Sequence, residues 1–147
     1  MKTVSFIGHR DAASEIRERL MNEIENVIIY DKADIFLVGH QGGFDRITYS
    51  VLKELKQKYP HIKYSVVLAY MPDYRIAELY GGDTIYPEGL ESVPGKLSIL
   101  KRNEWMIKHS DILICYVTRI TGGAAKFMDM ALKMGKKVIN IERGDKL

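Results

Sequence analysis

Apolar residues in this chain come in short unbroken runs, separated by stretches in which they recur every three or four positions. The clearest run is Ile112-Leu113-Ile114-Cys115-Tyr116-Val117, rich in β-formers, which predicts a strand buried on both faces. Thr121-Gly122-Gly123 follows, then helical spacing from Ala124 to Met134, Gly135 as a helix-ending glycine, and a strand at Val138 to Ile141. Strand, glycine turn, helix and strand make one βαβ unit, which presents a helix N-terminus at the carboxyl end of a parallel sheet. Free N–H groups and the helix dipole favour an anion there, and glycines admit a phosphate. Gly122-Gly123 is therefore the first candidate for a nucleotide-phosphate site.

The same alternation runs upstream. Thr3 to Ile7 predicts a strand ending at Gly8-His9-Arg10; in the helix behind it Ser14 and Glu15 come early, and Ile16, Leu20, Ile24 and Val27 share a face. Arg10 reads either as a phosphate ligand at the strand's end or as a solvated loop arginine. A second strand, Ile35 to Val38, leads into Gly39-His40-Gln41-Gly42-Gly43 and a helix from about Phe44 with Ile47, Val51 and Leu55 on its core face. Three glycines in five residues signal positive φ or close backbone approach to a ligand. Asp45 falls in that helix's first turn, where a carboxylate is favoured on structural grounds alone.

A third strand spans Tyr64 to Ala69, after Pro60 breaks the helix before it. From Met71 to Gly95 the pattern is irregular. Asp73, Tyr74 and Arg75 precede a short helical piece ending near Gly81-Gly82, and Thr84-Ile85-Tyr86 reads as a brief strand. Tyr74, Tyr86 and Glu88 in this long connection can serve a base or a ribose, or the tyrosines can plug the sheet's edge. Arg102 and Asn103 head a further amphipathic helix, in which Trp105, Met106 and Ile107 are core or base-stacking residues.

Five strands alternating with four or five helices predict an α/β fold. We read residues 1–147 as a single doubly wound, Rossmann-like domain with a mainly parallel sheet, helices on both faces and a ligand crevice where the strand order reverses. A hydrophobic share of 46% and a charged share of 28% argue against disorder. The net charge of +3 is small and evenly spread, and no Lys/Arg cluster flanks the glycine loops, which argues against a nucleic-acid partner. The single cysteine, Cys115, has no internal disulfide partner and fits a reducing cytoplasm. No apolar run is long enough to cross a membrane, and the N-terminus opens on a strand instead of a signal peptide. His9, His40, His61 and His109 lack metal-ligand spacing, so no metal is expected. With no Gly-x-Gly-x-x-Gly, phosphate-binding Gly-x-x-x-x-Gly-Lys or Gly-x-Ser-x-Gly motif, no cofactor is assigned.

Four segments taken in order carry a resemblance: Ile7-Gly8-His9-Arg10, Gly39 to Asp45, Arg102-Asn103-Glu104-Trp105-Met106 and Thr121-Gly122-Gly123-Ala124-Ala125. Together they resemble the SLOG superfamily of Rossmann-like proteins, which holds the Smf/DNA-processing A proteins, the lonely-guy (LOG) phosphoribohydrolases and many small bacterial proteins. The similarity is greatest to the short stand-alone bacterial members. It implies a pocket for nucleotides or their derivatives, such as nucleoside phosphates or ADP-ribose relatives. Because the three glycine-bearing loops each follow a strand's carboxyl end, they converge on one sheet edge. The candidate ligand-binding set is Gly8, His9, Arg10, Gly42, Gly43, Asp45, Arg102, Asn103, Thr121, Gly122, Gly123 and Ala124.

Against the LOG motif Pro-Gly-Gly-x-Gly-Thr-x-x-Glu, this chain keeps the glycine pair but lacks the leading proline, the third glycine and the threonine. The resemblance places Asp129 at the catalytic glutamate, one methylene shorter, and Arg102 at the assisting arginine. On spacing alone, Asp129 equally pairs with Lys126 or Lys133 on a solvated helix face. The expectation is a cytoplasmic nucleotide-derivative binding protein acting as sensor, carrier or sequestering module. The alternatives are a LOG-like hydrolase of nucleoside monophosphates and a single-stranded DNA binder of Smf type. An oligomer of identical chains stays open.

Overall fold

The computed structural model describes residues 1–72, 74–81, 83–142 and 145–146. The turn positions Asp73 and Gly82 lie outside the described residues. Six parallel strands form the sheet: β1 (Lys2–Gly8), β2 (Ala33–Val38), β3 (Lys63–Val67), β4 (Thr84–Ile85), β5 (Ile112–Tyr116) and β6 (Lys137–Asn140). A short β7 (Asp145–Lys146) pairs antiparallel with β6, and the order is β4-β3-β2-β1-β5-β6-β7. The five expected strands are present, the brief Thr84 segment adds β4, and β7 was not anticipated. The connecting helices are α1 (Arg17–Tyr30), α2 (Gly43–Lys58), α3 (Tyr74–Tyr80), α4 (Ser98–Lys108) and α5 (Gly123–Lys133).

The unbroken apolar run has its reason in the layers. Ile112 and Ile114 of β5 join Val4, Phe6 and Phe36 against Leu20 and Ile24 of α1 and Val51 and Leu55 of α2. Leu113 and Cys115 point the other way, into a second core with Ile107 of α4 and Phe127 and Ala131 of α5. A strand covered on both faces loses the polar half of its alternation, because each buried Ile or Leu contributes about 1.5–3 kcal/mol. At the end of α5, Gly135 has φ 75°. Its N–H donates to Leu132 O and the Lys136 N–H to Ala131 O, each at 3.0 Å, which closes the helix in a Schellman motif.

One helix boundary differs from the expectation. α4 starts at Ser98, behind Pro94 and a 3₁₀ turn at Gly95–Leu97, so Arg102 lies in its second turn instead of at its head. Ser98, Arg102 and Met106 follow one another at helical spacing and are all buried. A charge on the buried stripe hides the helix's first turn from a reading of apolar periodicity. No helix among the described residues is long and apolar enough to cross a membrane. The strand order reverses between β1 and β5, and the carboxyl ends of those two strands are where an open α/β sheet leaves a crevice.

Candidate functional site

A cleft of about 590 Å³ opens at that reversal. β1 and its following loop supply Gly8, His9, Arg10 and Asp11; the β2–α2 connection and α2 supply Gln41 and Asp45. Lys96, Ile99, Leu100, Arg102 and Asn103 come from α4 and the turn before it, Arg119 from the loop after β5, and Gly123, Ala124 and Phe127 from α5. Eight of the expected residues thus line one cavity: Gly8, His9, Arg10, Asp45, Arg102, Asn103, Gly123 and Ala124. Gly42, Gly43, Thr121 and Gly122 do not line it. Asp11, Gln41, Lys96, Leu100 and Arg119 were not foreseen. The available signal for the two cations was their place in glycine-flanked turns, Lys96 after Pro94-Gly95 and Arg119 before Gly122.

The two glycine pairs have the same backbone and different surroundings. Gly42 (φ 91°, ψ −179°) and Gly122 (φ 98°, ψ 179°) precede α2 and α5 in a region open to glycine alone. At the first pair the space is filled by the chain itself. The Gly43 N–H donates to the Arg10 carbonyl at 2.7 Å, and a Cβ on Gly43 would lie 2.6 Å from the Ala12 oxygen. At the second pair a Cβ on Gly122 or Gly123 would meet nothing within 4 Å. The first amides of α5, at Gly123, Ala124 and Ala125, have no intrahelical acceptor, and the Gly123 N–H has no acceptor among the described residues. The expected close approach at Gly42-Gly43 is real, but what approaches is the first loop's backbone.

Arg102 is 2% exposed and Asp45 8%. Arg102 donates from Nε to Asn103 Oδ1 at 2.8 Å and from Nη1 to the Val67 carbonyl at 2.9 Å, both neutral acceptors. Asp45 Oδ2 accepts the Gln41 N–H at 3.0 Å. Gly39 makes this arrangement possible, since a Cβ there would stand 2.6 Å from Asp45 Oδ2 and 2.7 Å from Arg102 Nη1. Burial pushes the Asp45 carboxyl up to about 6, against the pull of Arg102, the Gln41 N–H and Arg10. Burial likewise lowers the Arg102 guanidinium below its ordinary value. Ionised Asp45 and Arg102 offset each other, while Arg10 and Lys96 add positive charge to the cleft wall. Arg119 is drawn to Asp11 at 3.5 Å.

His9 is a strut. The Thr118 N–H donates to its Nε2 at 2.9 Å, so the ring is neutral with its proton on Nδ1, and the loops after β1 and β5 are tied across the crevice. Burial first, and Arg119 second, hold its pKa below the ordinary value. Asn140 anchors the same junction: its Oδ1 accepts the Val117 and Glu142 N–H groups, and its Nδ2 donates to the Val117 carbonyl at 3.0 Å. Asp129 is exposed on the outer side of α5, 3.0 Å from Lys133, and is absent from the cleft lining. The structure therefore brings Arg102, but not Asp129, to the cleft.

In fold, the chain is similar to DNA processing protein A from Streptococcus pneumoniae, with a TM-score of 0.67 over 94% of this chain at 15% identity. It is also similar to DNA processing protein A from Helicobacter pylori, a structure reported for its single-stranded DNA binding mode, with a TM-score of 0.64 over 93% at 17% identity. The model of the YspA SLOG family matches residues 4–74. Over that segment, just under half of the chain, the sequence is similar to the SLOG family. The matched segment carries Gly8 to Arg10 and Gly39 to Asp45, one wall of the cleft, while Arg102 and Gly123 on the other wall lie beyond it. The chain spans 49% and 63% of the two DNA processing proteins, and the likeness to them is one of fold. No curated protein matches the chain in sequence.

Proposed function

We propose that this chain binds a phosphate-bearing nucleotide or nucleotide derivative in the switch-point cleft, as a cytoplasmic sensor, carrier or sequestering module. The observation that carries the reading is the contrast between the glycine pairs. Where the chain's own Arg10 carbonyl accepts the Gly43 N–H, the equivalent amide at Gly123 has no acceptor among the described residues, and a Cβ there would meet nothing within 4 Å. Phosphate oxygens fit that amide group, the α5 N-terminus favours their charge, and Arg10, Lys96 and Arg102 supply the cations. The place of Asp129 favours binding over LOG-like hydrolysis.

A thermal-shift panel of nucleoside mono- and diphosphates, ADP-ribose and sugar phosphates tests this. A ligand at a hundredfold excess over its Kd stabilises by about 2.7 kcal/mol. At least one nucleotide is expected to raise Tm in the wild type, and the rise is expected to be lost in folded Gly123→Val, which puts a branched side chain where the phosphate approaches. No shift at millimolar concentration overturns the reading.

Single-stranded DNA is the second reading. The sequence argued against nucleic acid for want of a Lys/Arg cluster beside the glycine loops, and that ground does not hold in three dimensions: Arg10, Lys96, Arg102 and Arg119 gather from separate segments. Tyr70 and Tyr74, exposed after β3, offer stacking surfaces near the same edge. An oligothymidylate in the same panel, with binding that falls steeply as salt rises, would favour it.

A further inference from the structure

The polar groups beside Arg102 point to what the ligand carries next to its phosphate. Asp45 is buried in the cleft wall with Oδ2 committed to the Gln41 N–H, and its Oδ1 has no donor among the described residues. Gln41 lines the cleft too. Its amide nitrogen meets His40 Nε2 at 3.1 Å, which leaves Oε1 as a buried acceptor without a partner. A buried acceptor left without a donor, as Gln41 Oε1 is, marks a missing partner. A phosphate cannot be that partner, because it brings acceptors and negative charge of its own. A hydroxyl can.

Gly39 is the second sign that the carboxylate is placed for use. A side chain there would separate Asp45 from Arg102, and its absence holds the anion and the cation side by side at the cleft wall. The cleft thus has a basic part, with the α5 amides, Arg10 and Lys96, and an acceptor part at Asp45 and Gln41. Resting on the nucleotide reading, we propose that Asp45 is the specificity-determining residue of the cleft. It accepts a hydrogen from a ribose hydroxyl and so selects ribonucleotides over dideoxyribonucleotides, and over sugars that carry a second phosphate at that position.

Calorimetry with the four common nucleoside 5′-monophosphates and their 2′,3′-dideoxy counterparts tests the proposal on the wild type and on Asp45→Asn. Asparagine keeps the shape, but with its oxygen on the Gln41 N–H it turns an N–H donor to the cleft. For at least one base, the wild type is expected to bind the ribonucleotide roughly tenfold to a hundredfold more tightly, the range of a hydrogen bond to a charged group. The variant, checked for a cooperative thermal transition, offers the hydroxyl oxygen only a neutral N–H and is expected to discriminate by less than about tenfold, and by less than the wild type for every base. Equal wild-type affinity for the two sugars overturns the role of Asp45 and leaves the nucleotide reading standing. Discrimination that survives undiminished in Asp45→Asn also overturns it, because the carboxylate is then not what reads the hydroxyl. Binding of neither form overturns the role of Asp45, and the nucleotide reading falls with it when the diphosphates and ADP-ribose of the thermal-shift panel also fail to bind.

Discussion

At the scale of the residue, glycines alike in sequence are set apart by what lies over them. Gly43 packs under the Ala12 and Arg10 carbonyls, whereas Gly123 has open space above it. Gly43→Ala must push the first loop away and is expected to cost about 1–3 kcal/mol in urea denaturation. Gly123→Ala, by the same measurement, is expected to stay within about 0.5 kcal/mol of the wild type. Equal losses would remove the distinction between the filled and the open pair. The sequence shows both pairs plainly, since glycine before a helix signals a special backbone. It does not show which is open, because that is decided by the carbonyl of Arg10, on another loop. Arg102 was legible as a candidate only through the family resemblance. Its helical position, between Ser98 and Met106 on a buried stripe, runs against the rule that charges face water.

At the scale of the element, β5 and the loop after it set the cleft's geometry. Val117 ends the apolar run, and both its N–H and its carbonyl are held by the Asn140 side chain, which is 3% exposed. Asn140→Ala leaves the Val117 N–H and carbonyl and the Glu142 N–H without that partner. The expected cost is about 2–4 kcal/mol, with faster amide exchange at Val117 and Glu142 than elsewhere in β5 and β6. A uniform loss of protection across the sheet would show that Asn140 supports the whole fold and not this junction. β5, α5 and β6 were readable because their periodicity is strong and Gly135 closes the helix. β7 was not readable: two residues give no period, and pairing with β6 alone makes them a strand. Acidic Asp45 was placed in the first turn of α2 correctly, yet its burial depends on α4 and Gly39 folding over it.

At the scale of the molecule, acid and base act on the fold through opposed groups. Asp45 has a folded pKa of about 6, above its ordinary carboxyl value. Its stabilising contribution is full below the unfolded value and is lost as pH rises through 6, a loss of about 3 kcal/mol by linkage. His9 and His40 are shifted down by burial, so their contribution is present above the unfolded histidine value and is lost as pH falls below it. Asp45→Asn separates the two effects. Relative to wild type, the variant is expected to gain about 2.5 kcal/mol in stability between pH 4 and pH 8, measured by chemical denaturation at both pH values. A pH-independent difference would mean that Asp45 is not desolvated in solution.

Cys115 gives the same molecule a built-in clock. It is the one cysteine of the chain, it is 0% exposed in the strand next to β1 at the switch point, and burial pushes its thiol up to about 12. Only the thiolate reacts readily, so a folded molecule presents neither the access nor the ionised sulfur that alkylating reagents need. Covalent labelling therefore marks each opening of the central sheet. Whatever ligand closes the cleft above β1 and β5 slows that mark in proportion to the time the site is occupied, with no dye, tag or knowledge of the ligand's chemistry required.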